Sequence, residues 1–381
     1  MIDVGEFLSG IKNAGINFIT GVPDSLLKEL CTSFQFELSS KEHVIAANEG
    51  SAVGLAVGHF LATGKPAMVY MQNSGIGNAI NPLVSIADPL VASIPMILLI
   101  GWRGEILSTG LQLADEPQHV KQGQVTASLF DNLGIPVKVI DRETKNIAAL
   151  FKESYKLSLN RSGPVAILVR KGALAKSRHV AMSVGHGNEL PSREESIEKI
   201  IDCLENCTIP IVCTTGMASR ELYEIRNRND MPHDLDFLMV GGMGHASQVA
   251  AGLALSLPDK KVICIDGDGA LLMHSGGLAI TADCSNLIHI LINNAAHDSV
   301  GGQPTKGEEL IFSKIAKNFG YGIVETVDSL QGIHDFLMAN LESDKSVFLE
   351  IKCRRGARPD LGRPLHSPIE NKDAFMKAIR E

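Results

Sequence analysis

An α/β protein built from two doubly wound parallel-sheet domains is the fold this sequence predicts. Three observations carry that reading. Short apolar runs that end in glycine or polar turns alternate with stretches of helical length, which is the pattern of βαβ units with helices on both sheet faces. Gly accounts for 36 of 381 residues while aromatics are only 5%, a composition suited to helices lying close on parallel strands. The two halves also echo each other. Residues 51–58, small and apolar, lead through Gly64-Lys65-Pro66 into the run 67–71 and the turn Asn73-Ser74-Gly75. About 195 residues later, 247–254 lead through Pro258-Asp259-Lys260 into 262–265 and Asp266-Gly267-Asp268-Gly269.

In chain order, the first half offers strands at 18–20, 43–47, 67–71, 96–100, 137–140 and 165–169. The second offers 211–214, 236–240, 262–265, 288–292 and 347–351. Helical patterns fill the gaps, for example 5–13, 195–203, 247–257 and 272–281. Residues 175–192 carry Lys, Arg, His, Gly, Asn and Pro without apolar periodicity. The expected division is therefore a domain at 1–175, a linker at 176–192 and a domain at 193–381.

Composition narrows the function classes. A net charge of −8 argues against a nucleic-acid partner. The longest apolar run, 91–102, contains Pro95 and falls short of the ~20 residues of a membrane span. The opening Met1-Ile2-Asp3-Val4-Gly5-Glu6 has no basic stretch of a signal peptide. Seven scattered cysteines fit reduced thiols in a cytoplasmic protein. Cys203 and Cys207 share helical spacing, but without a second Cys/His pair they read as core packing.

Several phosphate and metal motifs fail on inspection. Residues 58–66 resemble a P-loop, yet Pro66 follows Lys65 where a Ser or Thr must bind magnesium. Gly242-Met243-Gly244 opens like a dinucleotide fingerprint but lacks its third glycine. Asp266-Gly267-Asp268-Gly269 is no EF-hand, because the twelfth position is Gly277. What remains is Gly267-Asp268-Gly269-Ala270 at the end of one strand and Asn293-Asn294 at the end of the next. The 26-position separation places a carboxylate and an amide at the carboxyl edge of adjacent parallel strands, where open α/β sheets bind ligands. Both are hard oxygen donors suited to Mg²⁺, and the glycines and following helix N-terminus suit a diphosphate.

This pair is the motif of the thiamine-diphosphate-dependent enzymes, which the chain resembles over nearly its whole length. The resemblance implies a pyrimidine-binding first domain and a second domain that holds thiamine diphosphate and Mg²⁺. By it, Asp268, Asn294 and the backbone carbonyl of Ala296 hold the metal. Gly267, Gly269, Ala270, Gly241, Thr215 and Gly216 line the cofactor, and Met243 is the apolar wedge beneath it. Glu49, which opens the small-residue stretch after 43–47, corresponds to the glutamate that hydrogen-bonds ring N1′ and promotes loss of the C2 proton. No Asp or Glu follows it until after Ala87, so its pKa is expected to be raised.

Two domains with nothing of domain size between them resemble, within the family, the phosphonopyruvate decarboxylases. The resemblance rests on Gly21-Val22-Pro23-Asp24-Ser25, the run from Asn73 to Asn78, Gly101-Trp102-Arg103-Gly104-Glu105, Asp115-Glu116-Pro117-Gln118-His119 and the run from His297 to Gln303. It implies decarboxylation of a small 2-oxo acid with a phosphonate on C3, in biosynthesis of the 2-aminoethylphosphonate type; sulfopyruvate is the alternative substrate. It also implies a homo-oligomer with active sites between subunits. Arg103, His119 and Lys121 are the candidate substrate contacts, with His119 and His297 as candidate proton donors. The competing reading pairs Arg103 with Glu105 and leaves Lys121 a solvated charge. A non-catalytic cofactor-binding protein would be expected to lack Glu49 or Asp268, and no lipoyl-partner feature supports a 2-oxo acid dehydrogenase subunit.

Overall fold

The computed structural model describes residues 1–107, 109–179, 189–205 and 207–380. The chain divides into two compact units, residues 1–181 and 182–381. Most of the expected linker, 180–188, lies outside the described residues. Its described ends are pinned to their own units: Ser177 N–H donates to Glu29 at 2.8 Å, and the Pro191 carbonyl accepts from Arg354 N–H at 2.9 Å.

The first unit contains β1 (Ile19–Gly21), β2 (His43–Ile45), β3 (Ala67–Gln72), β4 (Met96–Gly101), β5 (Val137–Ile140) and β6 (Pro164–Val169). They form one parallel sheet in the order β2-β1-β3-β4-β6-β5. The second unit contains β7 (Ile211–Cys213), β8 (Asp236–Leu238), β9 (Val262–Gly267) and β10 (Leu287–Asn293). A short ribbon follows, β11 (Ala296–His297) with β12 (Gln303–Pro304), then β13 (Ile323–Val327) and β14 (Val347–Lys352). The parallel sheet here runs β13-β14-β10-β9-β7-β8. Renumbered within its unit and read from the other edge, this is the strand order of the first sheet. The echo seen in the sequence is thus a repeat of the whole topology.

Alternation along each strand feeds a core on each face of the sheet, since successive side chains point to opposite faces. In β3, Met68 and Tyr70 join Phe7, Leu30 and Phe34 on one face, while Val69 and Met71 join Ala52, Ala56 and Phe130 on the other. Burial on both faces is why these strands read as continuous apolar runs. Cys203 and Cys207 pack against the second unit's core, and all seven cysteines are free thiols. No helix of the described residues is long and apolar enough to cross a membrane.

Three elements differ from expectation. The helix expected at 272–281 begins at Asp268 and stops at Met273; after a turn at Ser275–Gly277 a short helix resumes at Leu278–Thr281. Gly276 and Gly277 are poor helix formers, which accounts for the break. β13 and the ribbon carry no expectation at all. β13 is a sheet-edge strand whose residues are half-buried or exposed, so it lacks the apolar run that marks its neighbours. The ribbon strands are two residues each, below the reach of any periodicity.

Candidate active site

Each sheet has a switch point where the strand order reverses, between β1 and β3 and between β7 and β9. Ligands bind beyond the carboxyl ends of strands at such points. Asp268, at the end of β9, lies beside the second of these points, and Asn294 follows the neighbouring strand β10.

In the second unit, β9 delivers Asp268 as the first residue of the helix Asp268–Met273, 2% exposed. Its Oδ2 accepts from the Thr305 hydroxyl. Burial drives its pKa up to about 6, against the lowering pull of the Thr305 and Gly269 hydrogen bonds. Among the described residues no cation forms an ion pair with this carboxylate.

β10 ends at Asn293, whose Nδ2 donates to the Gly307 carbonyl at 2.9 Å and to Glu350 at 2.8 Å. Asn294 follows, 5% exposed, then Ala295 in the left-handed region at φ 53°. The ribbon β11–β12 turns the chain back and brings Thr305 onto Asp268. Asn294 gives its Nδ2 to Asp298 at 2.6 Å and accepts the Ala296 N–H on Oδ1 at 3.2 Å.

Gly269 has no room for a side chain: a Cβ would stand 2.7 Å from the His297 ring. That ring therefore packs on the first turn of the helix, and burial pushes its pKa down to about 4, leaving it neutral. Across the ribbon from His297 stands Gln303, 1% exposed, with no hydrogen-bond partner for either amide atom.

Two further turns close on this edge. A Cβ at Gly244 would lie 3.0 Å from the Ala270 carbonyl, so the turn 241–244, with half-buried Met243, abuts the same helix. A Cβ at Gly216 would lie 2.6 Å from Ser299 Oγ, which puts the Thr215–Gly216 turn beside the Asp298–Val300 turn. The structure thus gathers Thr215, Gly216, Gly241, Met243, Gly267 to Ala270, Asn294, Ala296 and His297 on one sheet edge. A buried carboxylate without a cation, an amide oxygen, a nearby carbonyl and an orphaned buried amide fit a magnesium–diphosphate group.

In the first unit, Asn48 caps the helix Glu49–Thr63 through Ser51 N–H at 2.8 Å. Glu49, at the first helical position, is 5% exposed and accepts from Asn78 Nδ2 at 2.8 Å. Burial raises its pKa and the Asn78 bond partly offsets this. Gly75 must be glycine, because a Cβ there would sit 2.5 Å from Glu49 Cδ.

At the β1–β3 switch lies Asp24, fully buried, accepting from Gln72 Nε2 at 2.6 Å on one oxygen and unpartnered on the other. Burial raises its pKa. Arg103 does not pair with Glu105. It grips Asp115 with two nitrogens, Nε at 2.7 Å, and gives a third hydrogen bond to Ser25 at 2.9 Å. Glu105 instead faces Arg170 at 3.8 Å. The reversal follows from the loop 104–115, which folds back so that Gly104 N–H also reaches Asp115 at 3.0 Å. His119 is 8% exposed with Nδ1 unpartnered, and burial together with the Arg103 charge lowers its pKa to about 4. Lys121 is exposed on the helix Pro117–Asn132.

Sequence reasoning did not single out Thr305, Asp298, Asn78 or Gln303 as individual site residues. Asn78, Asp298 and Gln303 lie inside segments that carry the family resemblance. Thr305 has no local signal, since only the ribbon brings it to Asp268.

Comparison with known proteins adds the following. Residues 4–129 match the thiamine pyrophosphate enzyme N-terminal TPP binding domain, and residues 214–351 match the C-terminal TPP binding domain. The chain is 31% identical to a phosphonopyruvate decarboxylase of Streptomyces viridochromogenes, over 97% of this chain and 93% of that protein. It is 31% identical to a phosphonopyruvate decarboxylase of Streptomyces hygroscopicus, over 100% and 95%. A sulfopyruvate decarboxylase of Methanosarcina acetivorans is 29% identical over 85% and 84%.

Proposed function

Because the chain belongs to the thiamine pyrophosphate enzyme family and is a thiamine-diphosphate-dependent 2-oxo acid decarboxylase, we propose that its substrate is 3-phosphonopyruvate. Cleavage yields phosphonoacetaldehyde and CO2 as a step of phosphonate biosynthesis. The observation that carries this reading is similarity to two phosphonopyruvate decarboxylases running through both units of the chain.

When bound, thiamine diphosphate supplies the electron sink for the pair left by departing CO2. Asp268, the Asn294 Oδ1 and the Ala296 carbonyl would hold Mg²⁺, which would neutralise charge on the diphosphate. Thr215, Gly216, Gly241, Gly267, Gly269 and Ala270 would border the cofactor, and Met243 would be its apolar support. Glu49, its pKa raised by burial, would hold a proton toward N1′ of the aminopyrimidine. His297 and His119 are neutral without ligand; a nearby phosphonate dianion raises their pKa and arms them as proton donors. Arg103, His119 and Lys121 face the substrate's anionic group, Arg103 with its guanidinium already ordered by Asp115 and Ser25.

The deciding measurement is kcat/KM for phosphonopyruvate and sulfopyruvate on the purified, reconstituted enzyme. A preference for sulfopyruvate overturns the assignment.

Glu49 and Asp268 lie in different units, and in this reading Glu49 of one protomer and Asp268 of another complete each site, which would make the protein a homo-oligomer, a dimer at least. Mixing inactive Glu49→Gln and Asp268→Ala chains under subunit exchange should restore partial activity. Continued inactivity despite proven exchange argues for sites within one chain.

A further inference from the structure

We infer that Asp298, clamped by Arg193, is a positioning residue that fixes which end of the Asn294 amide faces the metal; this rests on the reading of Asn294 as a magnesium ligand. An asparagine amide is nearly symmetric in shape, so backbone geometry alone does not choose between presenting oxygen or NH2. Presenting NH2 to a cation would be repulsive. Two contacts bear on the choice: the Ala296 N–H reaches Oδ1 at a long 3.2 Å, and on the opposite side Asp298 Oδ2 is the charged acceptor, 2.6 Å from Asn294 Nδ2.

Three donors converge on this one oxygen. Besides Asn294, they are Arg193 Nη1 at 3.0 Å and Gly356 N–H at 3.0 Å. Convergence from three segments, Arg193 lying 105 residues away and Gly356 58, immobilises the carboxylate. Arg193 is itself an unexpected residue to bury. It opens the helix Arg193–Cys203 yet is only 6% exposed, although a cation is unfavourable at a helix N-terminus. Its cost is met by a bidentate pair with Glu221, at 2.6 and 2.9 Å, and by Asp298. The helix gains nothing from a buried arginine there, whereas the metal loop gains a fixed carboxylate. The triad of Arg193, Glu221 and Asp298 carries one net negative charge, which also suits a neighbouring cation.

The test is Mn²⁺ binding to the full-length chain with thiamine diphosphate, followed by electron paramagnetic resonance. Asp298→Ala should weaken Mn²⁺ about 10- to 100-fold, as expected when a residue that orients a metal ligand is removed. The discriminating background is Asn294→Asp, whose carboxylate has no NH2 end to misplace. There the side chain meets Asp298 as a second carboxylate, so Asp298→Ala should cost nothing further and should instead recover affinity by removing like-charge repulsion. An equal loss in both backgrounds would mean that Asp298 merely holds the loop, and the proposal fails. If Asp298→Ala does not fold, judged by melting of the metal-free chain, Asp298→Leu is compared in the same two backgrounds. Should Asn294→Ala leave Mn²⁺ affinity unchanged, the ligand assignment itself falls and this proposal with it. Should Asn294→Ala weaken binding while Asp298→Ala does not, only the positioning role falls.

Discussion

Asn78 Nδ2 stands 2.8 Å from Glu49 Oε2, a bond across 29 residues that joins the helix Ile76–Pro82, which follows β3, to the first turn of the helix Glu49–Thr63. Burial disfavours the charged carboxylate and this donor favours it. Glu49 therefore titrates above an ordinary glutamate.

Glu49→Gln should retain cofactor affinity and slow exchange of the cofactor C2 proton by ~10²–10⁴-fold, the usual range for a positioned acid–base group. Exchange followed by NMR checks this, and an unchanged rate refutes the role. Asn78→Ala should move the Glu49 titration further up, observable by infrared difference spectroscopy of the carboxyl group.

Asp268 makes the metal-free chain pH-sensitive. Its pKa rises from 3.8 to about 6 on folding, so the native state binds the proton more tightly than the unfolded chain. The associated stability is present below pH ~4 and is lost as pH rises through about 6. At pH 8 the buried charge costs about 2–3 kcal/mol, at 1.36 kcal/mol per pKa unit. Asp268→Asn should thus raise the melting temperature of the metal-free protein at pH 8 while abolishing the further rise with Mg²⁺ and thiamine diphosphate. Calorimetry with and without ligands checks both halves. A metal-free variant no more stable than its parent would contradict the argument.

Ala295 sits at φ 53° between two of the proposed metal-holding positions and is 4% exposed. Alanine tolerates the left-handed region at modest cost, but a β-branched side chain does not. Ala295→Val should destabilise the protein by about 2–3 kcal/mol and displace the carbonyl of Ala296. Denaturant unfolding and Mg²⁺ titration of cofactor binding measure these effects, and a neutral result on both would show that the turn is not constrained.

Arg103 is as much a structural clamp as a candidate substrate contact. Its pair with Asp115 is mostly shielded, with side chains 18% and 11% exposed. Arg103→Ala should cost about 2–3 kcal/mol because it strands Asp115, and Arg103→Ala with Asp115→Ala should cost less than the single change. Thermal unfolding tests this. For the substrate role, Arg103→Ala in the folded enzyme should raise KM for phosphonopyruvate more than for pyruvate, and an equal effect on both assigns Arg103 to structure alone.

The sequence by itself determined the α/β class, the repeated architecture and the position of Asp268 and Asn294, because each is written locally. Strands buried on both faces must be apolar, and a glycine-flanked carboxylate must end one strand while an Asn pair ends the next. The glycine that accommodates Glu49 and the asparagine that bonds it lie in one segment, Asn73 to Asn78, but their service to Glu49 was not legible. Tertiary structure alone decided the partners. Arg103 took Asp115 rather than its near neighbour Glu105, since a folded-back loop brought a better-placed carboxylate. Thr305 reached Asp268 across 37 positions, and Arg193 reached Asp298 across 105. Hydrogen bonds depend on distance and direction in space, and no local pattern encodes them when the partners come from strands and turns far apart in the chain.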